Sequence, residues 1–178
     1  DFTEGQKGWI GTFSAANGNV AEFFNTTFNS YQELTNMPAG EYKFVIDGFY
    51  RYGGIEKAYN AHVNGTERLN PVYYMIINGK SASKPFMSLY DESSPFAYAP
   101  SYTYPDNVTS ANIAFNFKDA YHNAPVIKEL STEGGTIRIG MSKSAKVDID
   151  WTCFDNVKLY YRPLGTGITE VKKESIKT

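Results

Sequence analysis

A tyrosine-rich segment, Asp91 to Asp106, carries the residue types best suited to ligand chemistry. It is long and contains several prolines, and a loop of this length without its own structure is uncommon unless it is functional. Aromatic rings contact the C–H faces of sugars, and carboxylates and amides bind their hydroxyls. The side chains of both kinds are Tyr98, Tyr102 and Tyr104, with Asp91, Asp106 and Asn107. Binding of a sugar is one interpretation; the other is that the loop covers a sheet face and buries its rings.

A second candidate follows the central predicted strand, in the segment from Phe49 to Gly54. Arg51 and Tyr52 are the candidate ligand-binding residues, because a guanidinium presents a fork of N–H donors that suits a hydroxyl pair or a carboxylate. The alternative pairs Arg51 with a structural acid and places Tyr50 in the core.

Trp151 is the third candidate. Because Asp150 and Thr152 flank it, it suits an exposed platform on which a sugar ring stacks. Alternation with Val147 and Ile149 instead favours the inner face of a strand.

Catalysis has weak support. Asp148 and Asp150 would share one strand face at roughly 7 Å, within the roughly 5–10 Å that two carboxyl groups need for glycoside hydrolysis. No neighbouring residue type indicates a proton donor, and no Gly-x-Ser-x-Gly elbow is present. The sequence therefore favours a protein that is not an enzyme. A glycoside hydrolase or esterase fragment is the competing hypothesis, and it predicts loss of turnover in Asp148→Ala.

Short alternating segments predict the strands that must position these residues. In the segment Glu41 to Tyr50, Tyr42, Phe44 and Ile46 share one face. The other predicted strands are 21–24, 31–34, 72–77, 126–130, 136–141, 147–151 and 151–161, with an Asn78-Gly79 turn after the third.

One short helix is predicted, capped by Ser110, lined on one side by Ala111, Ala114 and Phe115, and ending near Lys118. Many short strands with one minor helix are typical of an all-β, antiparallel β-sandwich. We expect a lead-in over residues 1–8, the sandwich over 9–163 and a linker or tail over 164–178.

Composition narrows the function classes. The net charge is −2 with no basic block, which argues against a nucleic-acid binder. No apolar run is long enough to span a bilayer. Cys153 is the single cysteine, so no internal disulfide forms; we expect it buried, on a strand face with Val157, Leu159 and Tyr161.

An ordered set of segments resembles a known family. The set is Ala21 to Phe24, Tyr31-Gln32, Pro38 to Tyr42, Gly48 to Arg51, Ala111 to Phe117 with Ala120 to Asn123, Gly135 to Gly140 and Trp151 to Tyr161. It resembles the galactose-binding-domain-like jelly rolls, and within them carbohydrate-binding accessory modules of secreted and surface proteins from gut anaerobes.

The resemblance implies a non-catalytic carbohydrate-binding module, secreted or at the cell surface, within a larger multidomain chain and with a glycan as partner. It also implies a structural calcium, for which Glu22, Asp148, Asp150 and Asp155 are candidate oxygen ligands by type alone. The alternative is a structural or protein-interaction spacer that binds no sugar.

Overall fold

The computed structural model describes residue 2 and residues 4–17, 20–92 and 104–165. Its strands are β1 Ala15–Asn17, β2 Val20–Phe24, β3 Phe28–Met37, β4 Gly40–Arg51, β5 Val72–Ile77, β6 Lys80–Pro85, β7 Val126–Leu130, β8 Gly135–Lys143 and β9 Trp151–Pro163. Its helices are α1 Ile55–Val63 and α2 Val108–Asn116.

The strands form two antiparallel sheets. One has the order β1-β2-β9-β4-β7 and the other β3-β8-β5-β6. The predicted antiparallel β-sandwich is therefore confirmed, and the described part of the chain has two short helices in place of the predicted one. Helix α1 was missed because its sequence has only a weak apolar stripe, and in the structure it buries only Ala58.

The main core lies between the sheets. Tyr42, Phe44 and Ile46 alternate inward along β4 and are each at most 1% exposed, as their spacing predicts. The rings of Phe23 and Phe28 stack at 3.7 Å between centroids, one from each sheet. Phe2, from the predicted lead-in, also belongs to this core.

A second apolar cluster covers the outer face of the five-stranded sheet. Phe49, Trp151 and Cys153 point outward there and pack beneath Ala111 and Phe115 of α2. A five-stranded sheet covered on both faces needs apolar residues on both sides of its central strands. This explains why β4 and β9 read as nearly continuous apolar runs near these positions.

Helix α2 begins three residues earlier than the sequence predicted. Its N-cap is Asn107, whose side chain accepts a hydrogen bond from the Ser110 N–H at 2.9 Å. Ser110 reciprocates, and its Oγ accepts a hydrogen bond from the Asn107 N–H, so the two residues form a capping box. The predicted buried side, which includes Ala111 and Phe115, is confirmed.

The predicted strand 147–151 is wrong. Residues 147–150 form a turn in which the Asp150 N–H donates to the Val147 carbonyl at 3.0 Å. Ile149 has a φ of 64°, outside the extended region. Asp148 is exposed and Asp150 is fully buried, so the two carboxylates do not share a strand face.

Candidate functional site

The best candidate site lies where three neighbouring strands of the five-stranded sheet meet one end of the sandwich. Phe24 at the end of β2 pairs with Trp151 at the start of β9, and Trp151 pairs with Arg51 at the end of β4. Directly opposed residues place their side chains on the same face. Phe24, Trp151 and Arg51, here called the terminal row, therefore lie side by side on the outer face.

The terminal row opens into a cavity of about 430 Å³. The start of α2 supplies one wall, through Asp106, Asn107 and Val108, and Glu22 and Ser14 supply another. The residues that line the cavity thus carry two aromatic side chains, a guanidinium, two carboxylates, an amide and a hydroxyl.

Arg51 is the most constrained member of the row. It is 6% exposed. Its Nε–H donates to the Gly53 carbonyl at 2.8 Å, and Nη2 donates to the Ile149 carbonyl at 3.2 Å. A guanidinium has five N–H donors, and the others have no partner among the residues that the structure describes. A cation this buried is normally paired. Arg51 instead has free hydrogen-bond donors, within the described ranges, on the wall of a cavity.

Within the described ranges, Arg51 makes no direct ion pair, but acidic groups lie near its guanidinium. Burial lowers the pKa of Arg51, and the neighbouring acidic groups, Tyr90, Asp106, Asp150 and Glu22, oppose that shift. Arginine stays protonated despite such a shift, because the unperturbed pKa of a guanidinium lies far above neutral pH. The cavity therefore combines one cation with the Glu22 and Asp106 carboxylates, which favours an uncharged ligand over an anion.

Trp151 is buried and does not provide an open stacking platform. It is 2% exposed, and its Nε1–H donates to Glu22 Oε2 at 2.6 Å. The Arg51 guanidinium carbon lies 5.4 Å from the centroid of the indole, in a cation–π contact. The indole contacts both Glu22 and Arg51, and at this exposure it offers a ligand very little surface. Trp151 also lies on the outer face of its sheet, so the predicted inner-face position is wrong.

Phe24 is the exposed aromatic of this site and was missed as a candidate. It is 46% exposed, and its N–H donates to Ser14 Oγ at 2.9 Å. The sequence did carry a signal for it. Phe23 and Phe24 are adjacent in one strand, and successive strand residues face opposite ways, so one of the two had to leave the main core.

The predicted tyrosines fall in different places. Tyr98 and Tyr102 lie outside the residues that the structure describes. Tyr104 is half-buried, with its ring edge-on to Tyr90 at 4.9 Å between centroids. Tyr52 is half-buried and receives the Lys57 ammonium at 5.6 Å from its ring centroid. Neither Tyr52 nor Tyr104 lines the cavity beside Arg51.

The four predicted calcium ligands do not converge. Glu22 accepts a hydrogen bond from Trp151, Asp150 binds Lys143, and Asp155 accepts one from Asn116 at 2.8 Å. Within the described ranges, no group of three or more acidic, histidine or cysteine side chains is arranged to hold a metal ion. A structural calcium stays a prediction.

Comparisons with known proteins found similarity to a solved structure but no matching family model. No family model matches the chain, and no curated protein matches it. Among solved structures it is similar to TmCBM61, solved in complex with beta-1,4-galactotriose, at 14% identity. That match covers 90% of this chain and 94% of the other, with a TM-score of 0.49. At this score it carries no weight for the ligand or the site. No helix in the described ranges is long and apolar enough to cross a membrane.

Proposed function

We propose that this chain is a non-catalytic carbohydrate-binding module of a secreted or cell-surface protein, and that it binds a neutral glycan in the cavity beside the terminal row. One observation carries the proposal. The buried Arg51 guanidinium has N–H donors without a partner among the described residues, on the wall of a cavity beside the exposed ring of Phe24 and the carboxylates of Glu22 and Asp106.

Each wall of the cavity matches one part of a sugar. The Phe24 ring offers an apolar surface for a C–H face. Arg51 donates to ring or hydroxyl oxygens, and Glu22 Oε1 and Asp106 Oδ2 accept from hydroxyls. Because the Trp151 indole N–H already donates to Glu22 and the Asn107 amide already donates to Asp106 Oδ1 at 2.9 Å, ordering these side chains costs little when the ligand binds.

Calorimetric titration with neutral oligosaccharides, among them β-1,4-galactotriose, tests this function. Phe24→Ala removes the exposed ring without emptying the main core, and we expect it to weaken binding about tenfold, equivalent to about 1.4 kcal/mol. Phe117→Ala is the matched control, since Phe117 is 74% exposed just past the opposite end of α2. Equal effects of the two variants on affinity would contradict the proposed site.

The spacer function also has an observation in its favour. Trp151 is buried and Tyr104 packs against Tyr90, which is what a scaffold without a sugar platform requires. The same titration separates the two functions. A folded protein that binds no plant or host glycan at millimolar concentration would be a spacer.

A further inference from the structure

A second cavity, of about 560 Å³, lies at the same end of the sandwich. Strand β2 ends at Phe24 and β3 begins at Phe28, while β8 ends at Lys143 and β9 begins at Trp151. Residues 25–27 and 144–150 are therefore the connections between the two sheets at this end. The terminal row lies on the five-stranded side of these connections, and the second cavity lies on the four-stranded side.

The wall of this cavity is built from uncharged polar side chains. They are Thr27, Asn29, Asn70, Ser142 and Ser144. Asn29 of β3 and Val72 of β5 both pair with Ser142 of β8, so these three form one row on the outer face of the four-stranded sheet. Hydroxyl and amide groups can both donate and accept hydrogen bonds, which is the capacity that sugar hydroxyls need.

Lys143 also lines this cavity, and its charge is neutralised within the protein by an ion pair. Lys143 Nζ donates to Asp150 Oδ2 at 2.6 Å, and both side chains are 0% exposed. Asp150 Oδ1 has no hydrogen-bond partner within the described ranges. Lys146, the other charge that acts on Lys143, is exposed and donates to Asn25 at 3.2 Å. Lys143, the one charged residue among the described residues that line the cavity, therefore presents no exposed charge to a ligand.

We propose that this cavity is a second binding site, specific for an uncharged polyhydroxy ligand such as a neutral sugar. Its polar wall supplies donors and acceptors, while Phe28 and Val72 supply apolar surface for C–H groups. An anionic ligand gains nothing here, because Asp150 already neutralises Lys143. With both cavities occupied, the module holds two sugars at one end, and two linked sites raise avidity without new contacts.

Nitrogen–proton correlation spectra of the labelled chain, titrated with galactose, xylose, mannose and β-1,4-galactotriose, test the second site. We expect saturating shifts of the Thr27, Asn70 and Ser144 amides. Ser144→Trp fills the cavity and should abolish the shifts of the Thr27 and Asn70 amides. Asn70→Ala removes one amide and should raise the dissociation constant read from the Thr27 and Ser144 shifts about tenfold. Ser131→Trp, at an exposed position after β7, is the matched control and leaves them unchanged.

The outcomes separate this inference from the proposed function. Shifts confined to Phe24 and Arg51 would overturn the second site and leave the proposed function standing. Shifts confined to the second cavity, unaffected by Phe24→Ala, would support it and overturn the terminal row as a site. Tighter binding of glucuronate than of neutral sugars at these amides would overturn the stated ligand class. The absence of shifts in both regions would overturn both proposals.

Discussion

Lys143 and Asp150 form a buried ion pair. Replacing Lys143 should therefore destabilise the native protein but stabilise a variant that already lacks the Asp150 carboxylate. Asp150 Oδ2 accepts three hydrogen bonds, from Lys143 Nζ at 2.6 Å, Tyr50 Oη at 2.9 Å and the Val147 N–H at 3.0 Å. Lys143 has Asp150 as its one hydrogen-bond partner in the described ranges. Removing the anion therefore strands a buried cation, whereas removing the cation leaves the anion with two donors.

The magnitudes follow from this asymmetry. Asp150→Asn should lower the free energy of unfolding by about 3–5 kcal/mol, the usual cost of breaking a buried pair by removing one partner. Lys143→Met keeps most of the aliphatic stem and should cost about 1.5–3 kcal/mol, the value of a hydrogen bond to a charged group. In the Asp150→Asn background, Lys143→Met should instead stabilise the protein, because the stranded charge is gone.

Urea unfolding of the four proteins in this cycle, followed by tryptophan fluorescence, measures all three free-energy changes. Burial already lowers the pKa of Lys143, and loss of Asp150 lowers it further. Because a lysine with a depressed folded pKa binds fewer protons than in the unfolded chain, the stability of Asp150→Asn should rise with pH. Additive effects of the two substitutions, or a flat pH profile in Asp150→Asn, would refute the pairing.

Three further outcomes are expected. Ile149→Gly should raise the free energy of unfolding in urea by about 0.5–1 kcal/mol, because Ile149 holds a φ of 64° while 47% exposed; a loss of stability would contradict this. Cys153 should resist thiol reagents until the protein unfolds, since burial raises its pKa well above the usual value; fast labelling of native protein would contradict it. The hydrogen bond from His122 to Asp47, aided by Asp119, raises the pKa of His122. The stability it adds is therefore full below about pH 6.5 and lost as pH rises through the raised folded value, a decline that His122→Gln should flatten in urea unfolding.

The sequence predicted most strands because their alternation is local. Tyr42, Phe44 and Ile46 alternate with polar residues, and Asn78-Gly79 both adopt the positive φ that a hairpin turn requires. Such patterns depend on neighbours two residues apart, so they need no knowledge of the partner strand.

The candidate site was harder to predict because it depends on strand register. Arg51 and Trp151 were each named from the sequence, but their contact requires β4 and β9 to pair at one register across about half the chain. The turn at 147–150 imitates a strand in its residue pattern. The turn is fixed by hydrogen bonds to Asp150 from Lys143, 7 residues away, and from Tyr50, 100 residues away. No local pattern reveals the second of these bonds.

A bulge in β9 explains why the sequence placed Cys153 on the wrong face although its burial was predicted. Val45 pairs with Lys158 and Asp47 with Asp155, so β9 holds one more residue than β4 across this interval. Asn156 takes up the extra residue with a φ of 51°. Cys153 therefore faces α2, and Val157, four residues later, faces the main core. Because the bulge lies between them, the odd-numbered positions of β9 face outward before it, as Trp151 and Cys153 do, and inward after it, as Val157 and Leu159 do.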